Sequence, residues 1–113
     1  TLMSNLGMEN SLKELEIPFV RTEVGDRHVI GALRERKWKL GGESSGHIIC
    51  SDLTTTGDGV VAALQVLHAM SDTATPLNTL KKEMHKYPQK MLNIRIAGEF
   101  NLKKYPAIQT LLL

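Results

Sequence analysis

Trp38-Lys39-Leu40-Gly41-Gly42-Glu43-Ser44-Ser45-Gly46-His47-Ile48-Ile49-Cys50 reads as strand, polar loop, strand, and the rest of the chain is organised around it. The glycines let the backbone turn sharply and approach a ligand closely. Between them stand a carboxylate, two hydroxyls and an imidazole. A carboxylate accepts hydrogen bonds from two neighbouring hydroxyls at once, and a serine beside it donates or accepts. On residue chemistry alone the loop serves equally as a hairpin turn or as a grip on a sugar.

Upstream of the loop, Leu6, Met8, Leu12 and Leu15 mark a helix that Pro18 brings to an end. Phe19-Val20-Arg21-Thr22-Glu23-Val24 alternates as a strand does, and Gly25-Asp26 closes it. A second helix follows through Val29, Ile30 and Leu33, with Arg34, Arg36 and Lys37 on its outer face. Downstream, Thr54-Thr55-Thr56-Gly57-Asp58 supplies caps for a third helix, along which Val60, Ala63, Leu64, Leu67 and Met70 recur at helical spacing. Val61, Ala62, Val66 and Ala69 fill much of its remaining circumference, so this helix is expected to be sandwiched. Pro76 opens another helix and Pro88 stops it. Residues 91–96 alternate like a strand, and residues 102–113 fit a partial helix. The fold class that follows is α/β: a three-layer-like βαβ domain with a mixed, mainly parallel sheet flanked by helices.

Such a sheet gathers its polar turns on one edge, which adds weight to two of them. Gly25-Asp26-Arg27 joins a strand to a helix, where backbone N–H groups and a guanidinium favour an anion such as phosphate. Asp58 either caps its helix or faces the polar loop. Trp38 is expected to pack beneath that loop.

Composition narrows the function. The 113 residues suit one domain of ordinary size. Fourteen basic and 12 acidic side chains leave a formal charge of +2, which gives no reason to expect a nucleic-acid partner. From residue 73 onward seven basic residues face two acids, Glu83 and Glu99, as a solvated linker and tail would show. The single cysteine, Cys50, builds neither an intrachain disulfide nor a cysteine-rich metal site, and reads as a small buried hydrophobe in a reduced cytoplasmic chain. No apolar run reaches the length of a membrane span. Residues 1–3 run straight into the helix start Ser4-Asn5, as the end of a strand in a longer protein would. His68 and His85 lie away from acid or cysteine clusters, and no metal ligands are expected.

Taken together, Ser4-Asn5-Leu6-Gly7, Val24-Gly25-Asp26-Arg27, Gly42-Glu43-Ser44-Ser45-Gly46-His47 and Thr55-Thr56-Gly57-Asp58-Gly59 resemble the third domain of the α-D-phosphohexomutases, in their phosphoglucosamine branch. The likeness is strong to about Met70 and looser beyond. It implies that Glu43 and Ser45 contact sugar hydroxyls and that His47 lies close to the reacting groups or a phosphate. With Gly25, Asp26 and Arg27 these form the expected substrate-binding set. His47 is the one candidate for a catalytic part. His28 stands where a tyrosine often follows the GDR turn, and Ser44 is smaller than the usual amide.

The resemblance further implies reversible phosphoryl movement between the 6- and 1-positions of glucosamine phosphate, in a pathway feeding amino-sugar and cell-wall precursors. The family uses a phosphoserine and Mg2+. The sequence has no DGDGD metal loop, no TASHNP-like serine loop and no RxSGTEP-like phosphate cradle. Both groups are therefore expected outside this chain, in other domains of a parent enzyme, and the piece alone is expected to be inactive. Residues 1–87 form the expected sugar-binding domain, and residues 88–113 a linker and the start of a fourth. Self-association through uncovered domain surfaces is expected of such a piece. The alternatives are a phosphomannomutase or phosphoglucomutase piece, or a non-enzymatic carbohydrate-binding module.

Overall fold

The computed structural model describes residues 1–96, 98, 99, 101 and 104–110. Its elements are α1 (Leu6–Glu14), α2 (Asp26–Arg36), β1 (Leu40–Gly42), β2 (Ile48–Cys50), α3 (Gly59–Asp72), α4 (Leu77–Leu80), a 3-10 turn at Lys81–Glu83, and α5 (Pro106–Thr110).

The central motif is the hairpin. β1 and β2 pair antiparallel with Leu40 opposite Cys50, Gly41 opposite Ile49 and Gly42 opposite Ile48. Past the ladder, Glu43 N–H donates to His47 O (2.9 Å) and Gly46 N–H to Glu43 O (3.1 Å), so the loop is a tight closed turn. Gly46 sits at φ +93°, a conformation that an L side chain rarely adopts.

One face of α2 lies on this hairpin. Val29 and Leu33, four residues apart and so one above the other, meet Ile49 to form the buried core, with Ile30 and Trp38 packed against it. Close approach depends on Gly41. A Cβ there would stand 2.6 Å from Val29 Cγ1 and 3.1 Å from Leu33 Cδ1, so any side chain would push the helix off the strand.

α1 is held differently. Asn5 caps it by accepting from Gly7 N–H (3.0 Å). The Arg21 guanidinium pairs with Glu9 (2.9 Å) and donates to Ser4 O (2.7 Å) and Leu2 O (3.1 Å), tying residues 2–9 to the 19–24 segment. The Asn5 side chain also reaches residues 82 and more away: Nδ2 donates to Tyr87 O (2.8 Å) and Gln89 Oε1 (3.0 Å), while Tyr87 N–H donates to Oδ1 (3.0 Å). Ser11 Oγ donates to Glu83 O, and a Cβ at Gly7 would overlap His85 O. Residues 83–89 thus lie across the first turns of α1.

The α/β class holds, with differences in detail. Among the described residues the ladder is the antiparallel β1–β2 pair. Residues 19–24, expected as a strand, run beside the amino end, with Leu2 N–H donating to Thr22 O (2.8 Å). The Thr1 amine in turn reaches Gly42 O (3.4 Å). Residues 1 and 2 therefore lie between Thr22 and β1. Residues 91–96 form no strand; Met91, Leu92, Ile94 and Ile96 are exposed, and alternation without a partner strand makes no sheet. Of the expected helix at residues 102–113, Pro106–Thr110 is helical, and residues 102, 103 and 111–113 lie outside the described set.

The largest departure is α3. Asp58 caps it, accepting from Val60 and Val61 N–H (2.8 and 2.9 Å), but the helix is not sandwiched: no residue in it is buried, and Leu64 is 56% exposed. Among the described residues nothing covers its outer apolar side. The radius of gyration, 17.3 Å, exceeds the roughly 13 Å of a compact domain of this length, in keeping with so small a core.

Stability should follow this distribution. Leu33→Ala is expected to lower the unfolding free energy by about 2–5 kcal/mol through a core cavity, whereas Leu64→Ala should cost less than about 1 kcal/mol. Urea titrations of the two variants check this, and equal losses would contradict the burial pattern.

Candidate functional site

Three turns meet at the loop end of the hairpin. Gly25, at φ +116°, precedes α2 with its N–H directed away from the helix ladder, and it donates to Glu43 Oε1 at 2.9 Å. Asp26, the first residue of α2, places Oδ1 2.7 Å from His47 Nδ1. On the other side of the imidazole stands the turn before α3: a Cβ at Gly57 would overlap His47 Nε2. The ring is therefore held edge to edge between Asp26 and Gly57.

Charge concentrates here. Ligand atoms of Asp26, Glu43 and His47 lie within 4.8 Å of one another, all half-buried. Glu43 Oε2 takes part in no hydrogen bond or ion pair among the described residues, so half of the carboxylate remains available as an acceptor.

The expected set divides into two groups. Gly25, Asp26, Glu43 and His47 come together as one cluster. Ser45 lies at the exposed tip of the loop, and Arg27 is exposed, with no ion pair to a local acid among the described residues. Asp58 is spent on its helix cap and does not join the cluster. Trp38 is not beneath the loop either. It packs on the core at the opposite end of β1, under the Arg36 guanidinium (5.8 Å), and helps line a groove of about 380 Å³ with Ile30, Lys37 and Thr54. That groove also carries Ser51, Thr55 and the Asp52 carboxylate, the last ion-paired to Lys39 (2.8 Å), and it brings together none of the expected substrate-binding residues. Gly57 is the residue that sequence reading missed. Its neighbour Asp58 drew attention as a cap, but only the packing against His47 reveals why position 57 must lack a side chain.

Residues 1–87 match the family described as Phosphoglucomutase/phosphomannomutase, alpha/beta/alpha domain III. The chain belongs to this family. Among the curated proteins that this domain III resembles is the phosphoglucosamine mutase of Teredinibacter turnerae, 54% identical over 110 residues, which cover 97% of this chain and 25% of that protein. The phosphoglucosamine mutases of Cellvibrio japonicus (54% over 109 residues, 96% and 24%) and Nitrosospira multiformis (51% over 110 residues, 97% and 24%) are similar to it over nearly the same span. The chain thus spans about a quarter of the length of the curated relatives it matches. Among the described residues no helix is long and apolar enough to cross a membrane.

The packing of domain III makes a sharp demand at position 57. Gly57→Ala should leave the circular dichroism spectrum intact while pushing the His47 ring away from Asp26. In NMR spectra the imidazole signals of His47 should move and those of His68 stay in place; unmoved His47 signals would refute the contact.

Proposed function

We propose that this chain is the sugar-recognition part of a phosphoglucosamine mutase, which interconverts glucosamine 6-phosphate and glucosamine 1-phosphate in the cytoplasm. The observation that carries this reading is the state of Glu43. Gly25 N–H fixes Oε1, so the carboxylate is aimed before any ligand arrives, and Oε2 remains to accept from sugar hydroxyls. Ser45, exposed beside it, supplies a hydroxyl that donates or accepts. Pre-aimed acceptors lose little freedom on binding, which favours affinity for a small polar ligand.

The geometry supports the following division of roles. Glu43 grips hydroxyls and is not a general base, since its task is to hold the ring while a phosphoryl group moves elsewhere. A grip on neighbouring hydroxyls tolerates two orientations of a hexose, as exchange of phosphate between its 6- and 1-positions requires. Arg27, exposed at the start of α2, offers a guanidinium to the phosphate of the bound sugar. His47 has Nδ1 turned to Asp26 and Nε2 to Gly57, so we assign it the positioning of the loop.

The parent's Mg2+ does not fit here. Mg2+ takes oxygen ligands in a near-octahedral shell, and an imidazole in the cluster at Asp26, Glu43 and His47 is a poor member of it. The ion and the phosphoserine belong to other parts of the parent protein, with which this domain must act for turnover.

Glu43→Ala in the full-length enzyme should lower kcat/KM for glucosamine 6-phosphate by about ten- to a hundredfold, as expected for loss of a charge-assisted hydrogen bond worth about 1.5–3 kcal/mol. Loss of the Gly25 contact should also lower stability by about 1 kcal/mol. Steady-state kinetics and a denaturant titration read the two effects separately. Unchanged kcat/KM, or a preference of the intact enzyme for mannose 6-phosphate, would overturn the reading.

A further inference from the structure

The Asn5 amide does more than a helix cap requires. A cap needs one acceptor, and Oδ1 supplies it to Gly7 N–H (3.0 Å). The rest of the group is spent on a distant segment: Oδ1 also accepts from Tyr87 N–H (3.0 Å), and Nδ2 donates to Tyr87 O (2.8 Å) and to Gln89 Oε1 (3.0 Å). Both acceptor sites and both N–H groups are thus in use. Serine or aspartate caps a helix as well, but neither brings two donors together with two acceptor sites. Gly7 serves the same segment by a different route. Glycine inside a helix is less favourable than alanine, yet α1 carries one in its first turn, where a Cβ would overlap His85 O. Two independent features of α1 are therefore fitted to residues 85–89, where the His85 and Tyr87 rings meet edge to face (5.0 Å).

We propose that Asn5 and Gly7 are positioning residues of the parent enzyme: they strap residues 85–89 to α1 and so set where the domain begun by residues 88–113 stands relative to the sugar loop. The anchor of the strap is itself tied to that loop. Ser4 O, next to Asn5, accepts from the Arg21 guanidinium (2.7 Å), Thr22 O accepts from Leu2 N–H (2.8 Å), and three residues further on Gly25 N–H holds Glu43 Oε1. A shift of the strap therefore moves the following domain against Glu43 without disturbing the core of Val29, Leu33 and Ile49. The effect on substrate rests on the reading of Glu43 as a sugar grip. With the strap released, only a fraction of molecules hold the following domain in place before substrate arrives, and the apparent affinity falls by that fraction. Saturating substrate restores the arrangement, so kcat is retained.

Asn5→Ser and Gly7→Ala in the full-length enzyme test the strap from opposite sides. Serine keeps the cap and loses the reach to Tyr87, whereas alanine favours the helix and crowds His85 O. In both variants, peptides covering residues 83–89 should exchange their amide hydrogens at least about tenfold faster, read by mass spectrometry, with peptides covering α2 unchanged. KM for glucosamine 6-phosphate should rise about tenfold at nearly constant kcat. A purely structural role would lower the melting temperature and leave the KM of the folded enzyme alone. Circular dichroism identifies a variant that fails to fold, in which case the other one decides. Unchanged exchange at residues 83–89 in the folded variants overturns the strap. Faster exchange with an unchanged KM, or with a loss confined to kcat, overturns the positioning role. Glu43→Ala separates this proposal from the sugar grip. If it lowers kcat/KM while the strap variants keep their KM, the strap proposal fails and the grip stands; if it leaves kcat/KM unchanged while the strap variants raise KM, the grip fails and the strap stands.

Discussion

The absence of a side chain at Gly41 is the constraint on which the rest of this domain depends. Because nothing projects from β1 there, Val29 and Leu33 settle directly onto the hairpin and enclose Ile49. That contact fixes the height and direction of α2 relative to the strands. The start of α2 is where Gly25 and Asp26 lie, so the same packing delivers a backbone N–H to Glu43 and a carboxylate to His47. Core and site are therefore two ends of one helix.

Local rules explain much of what was legible from the sequence. Asn5 and Asp58 cap helices as their positions announce, and glycines around an acid and two serines announce a turn between two short strands. The alternation of residues 19–24 was equally visible, but alternation tells which side chains face together and not whether a partner strand lies alongside. Likewise the apolar residues of α3 fix its helical state without saying what covers them. Leu64 remains exposed because covering surface is a tertiary property.

The site was legible as a set of residues and not as an arrangement. Glu43 could be read as an acceptor, yet its bond to Gly25 joins a side chain to a backbone N–H 18 positions away, and no pattern of residue types signals such a pair. The same holds for Gly57, whose role is purely steric. Family likeness pointed to Glu43, Ser45 and His47; the geometry separates them, with Ser45 exposed at the loop tip and His47 braced on two sides.

Asn5 does two jobs, since one amide both starts α1 and mimics a strand neighbour for Tyr87. The polypeptide beyond Gln89 thus sets out from a moored point rather than from a free end of the α3–α4 region. Its reach is measured from that mooring, so shortening or lengthening the stretch between α3 and Tyr87 would change slack without relocating the point of departure.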